Sequence, residues 1–454
     1  MSIRAGLIFN AACRSYCTVR SVSTCGSIMQ ESIRYGRVFQ RRLVFVSNCG
    51  RTKRGETLRL KHQATRHAGT SADTSSATTA PYYPADASRK YWTTLKNRTV
   101  LKLAGPDAAN FLHNLIPAPV QPTQEHGSLL YSAFLNAKGR IIHDIFIHKP
   151  AQDNAEDWYL EVDTNSAQAV MSHIRKHKLR SRFELARLSP EEATVVYVWP
   201  TQRTSGAVNQ DPRPSMGLRY CVDTNGMQKL TTGELKDAEQ VPWQDYMIHR
   251  MLSGFAEGPV EVSSGSALPQ ESNMDFCGGI DFQKGCYLGQ ELTIRTHHTG
   301  VVRKRILPVQ IYSNDAAIPL NQNAPVYDPS LQLPQPPNEA NISKCGATGR
   351  AGRSTGKWLG GYGNIGLALC RLEMMTDLTL TAESSQYNPA EDEFQVSWDA
   401  APGENGLDWS SSQSVKVKAF VPPWLRQAIE SSKQSRSERS RKNKEYVDEE
   451  DDIA

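Results

Sequence analysis

The chain of 454 residues has no apolar run of the roughly 18 residues that a membrane-crossing helix needs, so no membrane span is expected. It also lacks any C-x-x-C pair. Four of its nine cysteines (Cys13, Cys17, Cys25, Cys49) fall near the N-terminus; the others, Cys221, Cys277, Cys286, Cys345 and Cys370, are odd in number and far apart. Neither a disulfide framework nor a self-contained zinc or iron-sulfur cage can be built on that spacing, and a reducing compartment fits it. Acid is almost missing from residues 1–67, where 11 Arg and 2 Lys oppose only Glu31 and Glu56. That segment carries +11 and the remainder −6, so the net +5 belongs to the beginning of the chain. A nucleic-acid-binding arm packs its cations in a block. Here they are dispersed among apolar and Ser residues, the composition of a mitochondrial presequence, and no nucleic-acid partner is expected.

With 39% hydrophobic residues the chain can bury a core larger than one ordinary domain. After a low-complexity linker at 68–90, ordered structure is predicted from Tyr91. "VLKLAGPDAANFLHNLI" reads as a strand, a Gly-Pro-Asp turn and a helix with Ala108, Phe111, Leu112 and Leu115 on one face. "IIHDIFIH" and "WYLEVD" are β-rich, "SAQAVMSHIRKHKL" is an amphipathic helix with a basic face, and "TVVYVW" is a further strand. The order β, α, β, β, α, β predicts an α+β fold of the ferredoxin-like kind over 91–305. From Val301 short strands and frequent Gly and Pro predict a β-barrel over 306–424, with a long loop at 313–345. The charged end, 425–454, is expected to be disordered.

One stretch gathers chemistry. "FQKGCYLGQE", Phe282–Glu291, places Lys284 two residues before Cys286 and ends on Gln290-Glu291. A neighbouring cation lowers a thiol's pKa and makes it a better nucleophile or metal ligand. Glycines at 285 and 289 permit backbone conformations closed to other residues. The competing reading makes Cys286 a small buried hydrophobe and the glycines turn formers. Residue types and spacing leave both open.

"KGCYLGQE" resembles the K-G-C-[FY]-x-G-Q-E signature of the glycine-cleavage T-protein-like superfamily, in its folate-binding branch devoted to iron-sulfur cluster assembly, mitochondrial and fungal in type. All seven defined positions match, at Lys284, Gly285, Cys286, Tyr287, Gly289, Gln290 and Glu291. The likeness runs from about Tyr91 to Pro423 through "YSAFLNAKGRIIHDIFI", "DPRPSMGLRY", "ALPQESNMD" and "GLALCRLE". It implies a three-lobed ring of two α+β lobes and a C-terminal barrel around a site for tetrahydrofolate. It also implies a mitochondrial matrix factor that matures [4Fe-4S] proteins of the aconitase and radical-SAM (lipoyl synthase) kinds, with A-type iron-sulfur scaffold proteins as partners. In that setting Cys286, with Lys284 beside it, is the candidate ligand to a [2Fe-2S] or [4Fe-4S] cluster shared with a partner. Tyr287, Gln290 and Glu291 are the candidate clamp for a pterin, and Arg295, Arg303 or Arg305 its basic rim.

The family's enzymes carry an aspartate where Pro119 stands here. Proline cannot transfer a proton, so aminomethyl transfer is not expected; an active C1 transferase or demethylase would need a replacement acid, for which Asp144 is the candidate. A purely structural adaptor is the third function class. His297 and His298, read as lying on a strand, point to opposite faces and do not chelate one metal. "GRAGRSTGKW" fails as a phosphate loop because Ala351 and Trp358 occupy required positions.

Overall fold

The computed structural model describes residues 89–435 except 122–127, 150–155, 202–207, 318, 320–321, 332, 346–353, 381–384, 386 and 400–411. The predicted presequence, nearly all of the linker and residues 436–454 lie outside the described residues.

The first lobe is a five-stranded antiparallel sheet in the order Leu129–Leu135, Ile141–His148, Asp157–Asp163, Arg98–Ala104, Glu184–Arg187. Without its first strand this is a ferredoxin-like order, as the pattern predicted. The helices Ala108–Leu115 and Ala167–Lys178 cover one face. Period-two alternation decides what meets them: Leu101 and Leu103 point to the helices, and Val100 points the other way. The expected helix face, Ala108, Phe111, Leu112 and Leu115, is buried as predicted.

The closing strand differs from expectation. It is Glu184–Arg187, a mostly exposed strand with no apolar rhythm, whereas "TVVYVW" (Thr194–Trp199) lies in a second sheet of order Leu218–Val222, Thr194–Trp199, Tyr91–Thr94, Glu239–Gln240. Tyr91–Thr94, near the start of the described residues, thus pairs with strands far along the sequence, Thr194–Trp199 and Glu239–Gln240. Helix Trp243–Ser253 buries Tyr246, Ile248 and Met251 in the core shared by the two sheets and the barrel.

The barrel closes through six antiparallel strands: Lys304–Tyr312, Ile365–Arg371, Ser354–Tyr362, Asn341–Lys344, Phe394–Asp399 and Ser412–Ala419. Closure leaves no free edge. Leu307, Val309, Ile311 and Trp358 fill it. Two expectations are corrected here. The loop predicted at 313–345 ends in the strand Asn341–Lys344, and the tail expected to be disordered from 425 is helical over 423–435, because Leu425 and Ile429 drop into the barrel core.

Candidate functional site

The segment 282–291 leaves the core and returns as the helix Gln290–Thr299. Asp281 N donates to Pro117 O, and Gln283 N to the Asp281 carboxylate, which starts the turn. Lys284 then reaches back under the first lobe. Its Nζ donates to the carbonyls of His113, Ile116 (2.8 Å) and Ala118 (2.9 Å) and stands 5.3 Å from the centre of the Tyr287 ring. These carbonyls sit at and just beyond the end of the helix Ala108–Leu115, where backbone acceptors have no partner within the helix and a cation is favoured. Burial pushes the Lys284 pKa down to about 8, against the pull of Asp281. All three N–H donors are spent on the helix end, so none remains for the thiol.

Gly289 fixes the other end of the loop. It stands at φ +80° as N-cap of the helix, and a Cβ there would come within 2.4 Å of Asn136 O. Gly139, at φ +73°, faces it: a Cβ on Gly139 would lie 2.7 Å from Gly289 O. The turn of "LNAKGR" and the turn of "YLGQE" therefore meet main chain to main chain. Gly285, by contrast, has open space about its Cα.

Between these anchors Cys286 is exposed. It borders an open groove of ≈ 610 Å³ together with Phe111, Leu115, His177, Ser181 and Leu288. The reading of Cys286 as a buried hydrophobe does not hold. Of the other free cysteines among the described residues, Cys277 and Cys370 are buried, and burial raises both thiols well above their ordinary range.

The remaining candidates separate. Tyr287 is buried beneath Lys284, and burial lifts its hydroxyl to about 12. Gln290 and the exposed Glu291 occupy the first turn of the helix, where a carboxylate suits the dipole. Arg295 is exposed on the same helix, and Arg303 is exposed at the entrance to the barrel. Only Tyr287 among these five borders the Cys286 groove. Arg305 does not border that groove either: it is buried and paired with Asp275 at 2.8 Å. His297 and His298 lie on the helix rather than a strand; His297 stacks on Phe282 at 3.7 Å.

A second cavity, ≈ 470 Å³, opens where the segment 263–272 faces the barrel. Ile306, Leu359 and Leu369 give it an apolar wall, and Glu271, Arg140 and Arg371 line it with charge. Burial raises the Glu271 carboxyl pKa, while Lys304, Arg140 and Arg371 act in the opposite sense. Sequence reasoning did not single out these three residues. Each lies inside a stretch that carries the likeness, but none has a local signature of its own.

Four charged residues of those stretches, Asp144, Asp211, Arg213 and Arg219, join Arg98, Glu161 and Glu257 in a buried network between the two sheets. Arg98 pairs with Asp144 (3.1 Å) and Glu161 (2.8 Å). Arg219 bonds Glu161 and Tyr246 and pairs with Glu257 at 3.0 Å, its guanidinium 3.9 Å over the Phe146 ring. Arg213 pairs with Asp211 and Glu257, both at 2.7 Å. Burial alone would raise the Glu161 pKa; Arg219 and Arg98 outweigh it and hold the carboxyl at about 2. Asp144 is fully committed, one oxygen accepting from Arg98 and the other from Gly258 N.

A model of the C-terminal β-barrel domain of CAF17 matches residues 303–427. The chain is 45% identical over 385 residues to a protein of Aspergillus fumigatus named iron-sulfur cluster assembly factor IBA57 homolog, mitochondrial, covering 77% of this chain and 84% of that protein. The protein of the same name from Pyricularia oryzae is 44% identical over 346 residues, covering 74% and 85%. A solved structure, the glycine cleavage system aminomethyltransferase T of Bartonella henselae, aligns with TM-score 0.49 and 12% identity over 75% of this chain and 87% of that one.

Proposed function

The chain belongs to the IBA57 family of mitochondrial iron-sulfur cluster assembly factors, and from that premise we propose that it serves cluster assembly by offering Cys286 as one ligand of a cluster held jointly with a partner protein. The carrying observation is the exposed sulfur at the edge of an open groove, on a loop anchored at both ends. Clusters are held by several thiolates, and one chain supplies one of them here. The remaining ligands come from an A-type iron-sulfur scaffold protein, and the clients are [4Fe-4S] proteins of the aconitase and lipoyl synthase kinds. Lys284 acts as a positioning residue, tying the loop to the helix end, rather than as the thiol's hydrogen-bond donor.

Tetrahydrofolate, in this proposal, occupies the cavity beside Glu271 and not the motif helix. The donor set supports this: a half-buried carboxylate for the N–H edge of a pterin, an apolar wall of Ile306, Leu359 and Leu369, and Arg140 and Arg371 for an anionic tail. Its volume falls in the usual range for small-molecule sites, about 300–1,000 Å³. A C1 transferase is disfavoured, because Asp144 has both oxygens engaged and Pro119 offers no acid.

The test is visible absorption and circular dichroism of the anaerobic protein mixed with an A-type scaffold carrying iron and sulfide. Wild type should give a cluster chromophore that the two separate proteins do not, and Cys286→Ala should lose it. An unchanged chromophore in the variant sinks the reading. Titration with tetrahydrofolate should show binding that Glu271→Gln weakens, independently of the chromophore.

A further inference from the structure

The Cys286 groove continues into a basic surface that the cluster reading does not use. From Thr164 to Phe183 the chain contains no Asp or Glu but carries Arg175, Lys176, Lys178, Arg180 and Arg182. The helix Ala167–Lys178 ends in this segment, and His177 and Ser181 from it line the groove beside Cys286. Two of the cations are used locally. Arg182 pairs with Asp107 at 3.2 Å, and Lys178 lies over the Phe183 ring at 4.9 Å. Arg175, Lys176 and Arg180 are exposed and have no ion-pair partner among the described residues. The helix dipole rewards a cation in the last turn; it does not account for Arg180, which lies past the end.

Leu179 stands among them. It is 89% exposed, the most exposed large hydrophobic residue among the described residues, and it adopts φ +46°, a region that a leucine rarely enters. Strain of that kind persists where surrounding structure imposes it, and it gathers at binding sites. We infer that the segment Arg175–Arg180, with Leu179 at its tip, is the docking rim of the Cys286 groove and receives an acidic face of the partner protein, Leu179 entering an apolar notch on that face. The inference rests on the shared-cluster reading. Charge complementarity commits the occupant: unpaired cations flank a thiol whose cargo, a thiolate-ligated cluster, is itself anionic, so the rim favours both the partner's carboxylates and the cluster. A lipid surface fits less well, because the site is concave and a single apolar side chain projects from it, where interfacial binding uses a broad apolar face.

The experiment measures binding of an A-type scaffold protein by calorimetry to wild type, to Lys176→Glu/Arg180→Glu, to Leu179→Ser and to Cys286→Ala, at about 50 and 300 mM NaCl, with cardiolipin-containing vesicles as a second probe. Wild type should bind the scaffold with marked salt dependence, the charge-reversal variant should bind about tenfold or more weakly at low salt, and Leu179→Ser should bind more weakly at both salt concentrations. Cys286→Ala should bind but form no chromophore. Wild-type binding and chromophore with an unaffected charge-reversal variant would overturn the rim and leave the cluster reading standing. Absence of binding and chromophore in wild type would overturn both. Wild-type capture by vesicles, lost on charge reversal and without scaffold binding, would reassign the surface to lipid and overturn the inference.

Discussion

The network around Glu161 and the loop around Cys286 are both rich in polar residues, and they are opposites in construction. In the first, charges are removed from water and balanced against one another: Arg98, Arg219 and Glu161 have no exposed side-chain surface. In the second, polar groups such as Lys284 tether the loop while the sulfur is left outside. A buried pair is expensive to break and contributes little net stability when intact. A tethered exposed residue is the reverse, nearly neutral for folding and indispensable to any chemistry it serves. Density of charged residues in a sequence therefore marks two different things, and burial separates them.

The sharpest way to break this contrast is to remove one member of the network. Arg219→Leu leaves Glu161, Glu257 and Asp211 short of a cation and should cost about 3–5 kcal/mol, read as a large fall in the urea midpoint. A midpoint within error of wild type would show that the buried charges are not interdependent. Acid should find the same weakness. The Glu161 pKa is held at about 2, below its ordinary 4.5, so its contribution is present above that ordinary value and is lost as pH falls from about 4.5 toward 2, on the order of 3 kcal/mol. His249 and His173, both held near 4 chiefly by burial, bind protons more readily when unfolded. They remove stability over the preceding window, as pH falls from 6.5 to 4. Unfolding scans against pH should show the decline in both windows, and Glu161→Gln should flatten the lower one.

The loop responds less. Gly289→Ala adds a Cβ within 2.4 Å of Asn136 O at a positive φ and should cost about 1–3 kcal/mol, with faster hydrogen exchange in both facing turns. Protection changes confined to one turn would count against the paired contact. The smallest effect belongs to Cys286→Ser: because the side chain is exposed, unfolding should shift by no more than about 0.5 kcal/mol while cluster formation is lost.

Much of this was legible beforehand, and the misses have physical causes. The helix face of Ala108, Phe111, Leu112 and Leu115 followed from periodicity because the packing it meets is local to one sheet. "TVVYVW" reads as a strand of the first sheet but belongs to the second, because its partners, Tyr91–Thr94 and Leu218–Val222, are chosen by long-range pairing that no window of sequence contains. Glu184–Arg187 was missed because an exposed edge strand has no apolar alternation. The helix at 423–435 was hidden in a polar tail, since burial of Leu425 and Ile429 suffices to dock it. At the site, the motif identified the exposed thiol but not the reach of Lys284: nothing in K-G-C says that the cation turns away to a helix end 166 to 171 positions earlier. Glu271, Arg140 and Arg371 converge only once the barrel closes.

The opposed glycines at 139 and 289 have one more consequence. Because neither glycine position has room for a Cβ, the spacing of the two turns is fixed by their peptide groups, with Leu292 packed against Gly139. Adjusting the fit between this protein and whatever it grips must then fall to residues elsewhere, on the rim or on the other molecule, and the two turns should tolerate neither insertions nor independent drift.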